Sequence, residues 1–165
     1  MPMKTRIILL LACAVAAISC SKGETSAVPN MGNLPPFLVK FDTNGDGHLD
    51  LGEMSAVRSI DCSGQNIGSL DWVSAFPNLD TLICSRNPLQ VVPPEIIAKL
   101  KYLDCSHDSI RELNLSRSSL RTVLCNPMTD SSGNNVLEYI YIARNQQFDK
   151  LDAPSETMVI AIPTE

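Results

Sequence analysis

The sequence predicts an α/β repeat, a short solenoid with one parallel strand per repeat and a small helical cap at its N-terminal end. Four cysteines carry the first observation: Cys62, Cys84, Cys105 and Cys125 stand 22, 21 and 20 residues apart, at one phase of a recurring apolar pattern. Self-similarity at such a period marks stacked supersecondary units. The second observation is the stretch DTNGDGHLDLGE at residues 42–53, which gathers acidic and amide side chains around glycines just before the first copy. The third is composition: 165 residues, 44% of them hydrophobic, suffice for one core or a short stack. The formal net charge of -5 comes with no basic cluster, which argues against nucleic acid, because phosphate neutralisation needs grouped Lys and Arg.

At the N-terminus, Lys4 and Arg6 precede an apolar run over residues 7 to 18, too short for a stable membrane span and suited to an export signal. The run ends in Ala17-Ile18-Ser19-Cys20, which resembles the bacterial lipoprotein signal-peptidase site, with Ala17 where Leu is usual. That resemblance implies a signal peptide over residues 1–19 and lipid on Cys20, the new N-terminus. Ordinary cleavage near Ala16, or lipidation at Cys13 behind a shorter run, are the alternatives. Several acyl chains at about 0.8 kcal/mol per buried CH₂ anchor a protein stably without a membrane span. An exported lipoprotein at the outer membrane or cell surface is the expectation. Residues 20–33, rich in Ser, Gly, Thr, Pro and Asn, have the composition of a flexible tether.

Residues 34–56 form the expected cap. Pro35 and Pro36 restrict a first helix to residues 37–41, and a second is expected from about Leu51 into Val57. Between them Asp42, Asn44 and Asp46 take positions one, three and five of a twelve-residue calcium loop of the EF-hand type. Gly47 supplies the turn at six, His48 a main-chain carbonyl at seven, and Asp50 and Glu53 fill nine and twelve. Oxygen donors of this kind suit Ca²⁺; the plain alternative is an acidic Asn/Gly turn. No second loop follows, so Phe37, Leu38, Phe41, Met54 and Val57 are expected to bury against Ile60 and Leu82 at the open end of the stack.

Residues 57–165 hold the repeats and a C-terminal cap. VRSIDCSGQNI from Val57, LDTLICSRNPL from Leu79, LKYLDCSHDSI from Leu100 and LRTVLCNPM from Leu120 share the template L-x-x-L-x-C-S-x-N-x-L. A fifth copy, LEYIYIARN from Leu137, puts Ile142 at the Cys position and Asn145 at the Asn position. A partial sixth, residues 158–162, is expected to point Ile160 and Ile162 inward. Strand alternation turns positions four and six inward and three, five and seven outward. The sulfurs then form a buried column of free thiols, since parallel projection from adjacent strands suits poorly the near-perpendicular torsion of a disulfide. Trp72, Phe76, Ile96 and Ile97 belong to the outer segments, and Pro77, Pro88, Pro93, Pro94 and Pro127 to turns.

The template is the strand half of a leucine-rich repeat, and the copies from Leu79 and Leu100 resemble the cysteine-type leucine-rich repeats of internalin-like bacterial surface proteins. The resemblance covers residues 57 to 145, with Gln65 and Asp108 where Asn is usual and a compressed fourth unit. It implies a short leucine-rich-repeat solenoid with an EF-hand-like cap, acting as a recognition module for a protein or glycan. On that arrangement Ile83, Tyr102, Asp104, Leu124, Tyr139 and Tyr141 all lie outward on the concave face, an apolar and aromatic patch suited to a partner. Cross-strand packing is the plain alternative. A dockerin-like, calcium-dependent assembly module is the other functional reading. An enzyme is not expected: His107 follows Cys105 by two residues, but the Cys points inward, and no phosphate-cradling loop, zinc spacing or nucleophile elbow is present.

Overall fold

The computed structural model describes residues 34–163; the expected signal peptide, lipidation at Cys20 and tether lie outside the described residues. Over that span the chain is an α/β fold of parallel strands in two sheets, with few helices. Two short helices open it. Pro36 starts α1 (Pro36–Val39), where its missing N–H costs no hydrogen bond. Helix α2 (Leu51–Ala56) starts in a capping box, in which the Asp50 side chain accepts from Glu53 N and the Glu53 side chain accepts from Asp50 N.

The first sheet contains β1 (Ser59–Asp61), β2 (Thr81–Ile83), β3 (Tyr102–Asp104), β5 (Thr122–Leu124) and β7 (Lys150–Asp152) in that order. Its register joins Ile60, Leu82, Leu103, Val123 and Leu151 in one inward row. The second sheet, in the order β4 (Glu112–Asn114), β6 (Tyr139–Ala143) and β8 (Met158–Ile162), is also parallel. Between β1 and β2 the chain makes a 3-10 turn over Asp71–Ala75, and between β2 and β3 a helix α3 (Pro94–Lys99). Local sequence explains the change from helix to strand. Val73 with Phe76, and Ile96 with Ile97 and Leu100, carry helical spacing, whereas Leu113 and Leu115 alternate with Asn114 as a half-buried strand does.

Four expectations change. The strands do not all join one sheet as expected, because β4, β6 and β8 form a second sheet of their own. The copy from Leu137 does not stack beside β5; that place belongs to β7, and Ala153, not Ile142, follows the last of the cysteines, with Cys125 N bonded to Asp152 O at 2.8 Å. In β8 the phase moves by one residue: Val159 pairs with Ile140, Ile160 with Tyr141 and Ile162 with Ala143, so the two isoleucines share the face of Tyr141 and are half-buried there, while Val159 is exposed. Pro94 is the first residue of α3 rather than a turn residue.

Beneath both sheets runs a continuous apolar core. It includes the expected cap residues Leu38, Met54 and Val57, with Phe37 and Phe41 half-buried against it. Cys62, Cys84, Cys105 and Cys125 are all free and fully buried. Burial pushes the Cys62 and Cys125 thiols up to about 12, so they remain unionised and act as small apolar groups.

Candidate functional site

The loop over residues 42–53 is held by its own polar side chains. Asp42 Oδ1 accepts from Gly45 N at 2.8 Å and Asp46 N at 3.2 Å, while its Oδ2 accepts from Gly47 N at 2.9 Å. Gly47, at φ +84°, makes the left-handed turn that a side chain would strain. Asn44 Oδ1 accepts from Asp46 N, and Asp46 Oδ1 from His48 N, each at 2.9 Å.

Glu53 closes the loop on itself. Its Oε1 accepts from Thr43 N at 2.7 Å, Thr43 Oγ1 at 2.8 Å and Asn44 N at 3.2 Å, and its Oε2 from Asp50 N at 3.1 Å. The Asp50 main-chain bond, then the Thr43 hydroxyl, hold this carboxyl below the usual carboxylate range. Leu49, 5% exposed, pins the loop to the core, and Asn78 Nδ2 donates to Ser55 O at 2.8 Å, tying α2 to the chain before β2. Sequence reasoning passed over Thr43 and Leu49; the alternation of Leu49 with the acidic positions was the available signal for the second.

The donor chemistry of the loop fits a hard divalent cation, because Asp42, Asn44, Asp46, Asp50 and Glu53 present carboxylate or amide oxygens within one twelve-residue turn. Among the described residues, however, no three His, Cys, Asp or Glu side chains converge into a metal-holding group. The carboxylates are turned onto main-chain N–H groups of the loop instead.

The outward residues of the first sheet form rows across it. One runs Ser59, Thr81, Tyr102, Thr122, Lys150 and the next Asp61, Ile83, Asp104, Leu124, Asp152. Apolar and acidic side chains thus alternate from strand to strand, about 4.8 Å apart. Asp61 and Asp104 each use Oδ1 to accept from the N–H and hydroxyl of the residue two further on, Ser63 and Ser106, all at 2.7–3.0 Å. The Ser63 hydroxyl is the main reason that the Asp61 carboxyl lies below its ordinary range. Ile83, Tyr102, Asp104 and Leu124 therefore share one half-exposed face.

Tyr139 and Tyr141 do not join them. Both lie on β6 in the second sheet, their rings stacked at 6.2 Å and 26°, in rows with Glu112 and Met158 and with Asn114 and Ile160. The expected single tyrosine patch is divided between two faces. Its cause is the placement of β7, which the sequence announces only through Leu151-Asp152-Ala153, a copy of Leu103-Asp104-Cys105 with Ala for Cys.

No protein-family model matches this chain, and no curated protein matches it. Among the described residues no helix is long and apolar enough to cross a membrane.

Proposed function

We propose that this chain is a short leucine-rich-repeat solenoid, exported and tethered to a membrane by lipid on Cys20, that recognises a protein or glycan partner and is steadied by Ca²⁺ at its cap. The observation that carries the recognition reading is the outward row of the first sheet. Ile83 and Leu124 stand there half-exposed, either side of Asp104 and beside Tyr102, at positions where a sheet facing only water favours polar residues. Amphipathic and apolar side chains on a rigid strand surface lose little entropy on contact, which suits them to anchor a partner. The dockerin-like alternative is less favoured, because α2 commits Met54 to the core and leaves a single turn or two to present. No catalytic role is proposed.

Separate variants test the two faces. Replacing Ile83, Tyr102 and Leu124 together by Ser should abolish capture of the partner from membranes and extracts of the host. A double Tyr139→Ser, Tyr141→Ser variant should leave capture intact. Circular dichroism establishes that each variant is folded. Capture that survives the first change and is lost with the second would move the site to the second sheet.

At the cap, Asp42, Asn44, Asp46, Asp50 and Glu53, with the His48 carbonyl, would hold the ion, whose charge would offset the crowding of carboxylates in one turn. Glu53→Gln is a poor probe, since Glu53 itself accepts four hydrogen bonds that hold the loop closed. Asp46→Asn keeps an oxygen for His48 N and gives up the charge together with one exposed bond, that from Asn44 Nδ2 at 3.2 Å. Calcium at a hundredfold excess over Kd should stabilise the unaltered chain by about 2.7 kcal/mol, and Asp46→Asn should lose most of that gain while melting normally in chelator. A melting curve that calcium leaves unmoved removes the metal from the proposal.

A further inference from the structure

The ninth position of the four cysteine copies holds Gln65, Asn87, Asp108 and Met128. Asn87 displays the task of a buried polar side chain there. Its Nδ2 donates to Cys62 O at 3.0 Å and Cys84 O at 2.7 Å, and its Oδ1 accepts from Gln65 N at 3.0 Å and Ile67 N at 2.9 Å. One atom gives and the other takes, so the side chain joins two neighbouring coils.

Asp108 occupies the same place one coil further on and is fully buried. Its Oδ1 does what Asn87 Oδ1 does, accepting from Asn87 N at 2.6 Å. Oδ2 is the only buried side-chain oxygen or nitrogen among the described residues without a partner. By its place in the recurring pattern it corresponds to the amide nitrogen of Asn87, which donates to carbonyl oxygens. An ionised Oδ2 would be a second acceptor facing acceptors. The next copy offers no relief, because Met128 brings no donor.

We propose that Asp108 is a carboxylic acid in the folded protein, its Oδ2–H doing the work of an amide N–H toward the main-chain carbonyls of the Cys84 and Cys105 coils. The stability of the fold is thereby linked to one internal proton. The titratable groups around it favour that state. The thiols of Cys62, Cys84 and Cys105 face the same interior and bring no positive charge, while the Asp104 carboxyl on the outward face of β3 adds a negative charge nearby. Arg86 and His107, on the adjoining turns, are exposed, and no ion pair among the described residues includes Asp108. Burial foremost, with Asp104 adding to it, raises this carboxyl to about 8 against the Asn87 N–H bond that lowers it.

The sign follows from linkage. The unfolded chain releases this proton near the ordinary carboxylate value of about 4, whereas the folded chain keeps it to about 8. Stability from this group is therefore complete below about pH 4, falls across the window between the two values, and is level above it. Asn at this position supplies the donor without a proton to lose.

Urea unfolding of the full chain and of Asp108→Asn from pH 5 to pH 9 tests this. The ratio of their unfolding constants should widen about tenfold per pH unit up to pH 8, with Asp108→Asn the more stable, and then level off. In the unaltered chain at pH 6 the infrared band of a protonated carboxyl, shielded from exchange, should be present and should vanish in Asp108→Asn. A ratio that stays within twofold across the range, or a spectrum without the band, overturns the proposal even if the variant folds poorly.

Discussion

Replacing Asn87 by Leu is expected to destabilise the fold by about 3–5 kcal/mol, a large part of the roughly 5–15 kcal/mol that holds a domain together. Leu matches Asn87 in branching and is no smaller, so none of the effect is a cavity. The loss comes from the main-chain groups of two chain segments: Cys62 O and Cys84 O lose a donor, and Gln65 N and Ile67 N lose an acceptor. Asn87 is 4% exposed, and water cannot replace these partners without opening the stack. A buried group left unpaired costs about 1–3 kcal/mol, and partial relaxation keeps the total below four such costs. Urea titration should show a lower midpoint with an unchanged slope. A loss under about 1 kcal/mol would mean that the coils are not joined through this side chain.

Phe76→Ala should cost a similar amount, about 3–5 kcal/mol, for an unrelated reason. Phe76 is fully buried and meets Trp72 edge-on at 5.9 Å and 90°. Trp72 in turn packs on Phe37 of α1 at 5.6 Å. The ring is thus the inner end of an aromatic chain that fastens the cap to the first sheet. Deleting it leaves a void beneath the 3-10 turn, whose neighbours are pinned by Lys99, Nζ of which donates to Val73 O at 3.0 Å and Phe76 O at 2.9 Å. Those bonds prevent full collapse, so the cavity persists. Thermal melting should shift in one transition, and cleavage by protease within residues 42–53 should accelerate with it. Cleavage there with no change in melting would show a cap that folds apart from the sheets.

The recurrence of Cys at a near-constant interval determined β1, β2, β3 and β5 in their observed mutual register, and residues 42–53 were recognisable as a polar loop between two short helices. Both are local properties. A strand copy records which face is buried through alternation, and a loop records its turn through Gly47. Which sheet a strand joins is not local. Leu137 to Ile142 alternate as well for a place beside β5 as for the one they take between β4 and β8, and only the main-chain bonds of the assembled fold decide between them. Arg121 O receives Asp149 N at 2.8 Å, bringing Lys150–Asp152 to β5, and Arg111 O receives Glu138 N at 2.8 Å, bringing Tyr139–Ala143 to β4. Tertiary structure alone therefore separated Tyr139 and Tyr141 from Tyr102. It also decided the state of Asp108: the sequence recorded an acid in an amide's place, but the missing donor for Oδ2 depends on what the adjoining coils bring to it. Side-chain period is carried by neighbours in the chain, whereas pairing and burial are set by neighbours in space.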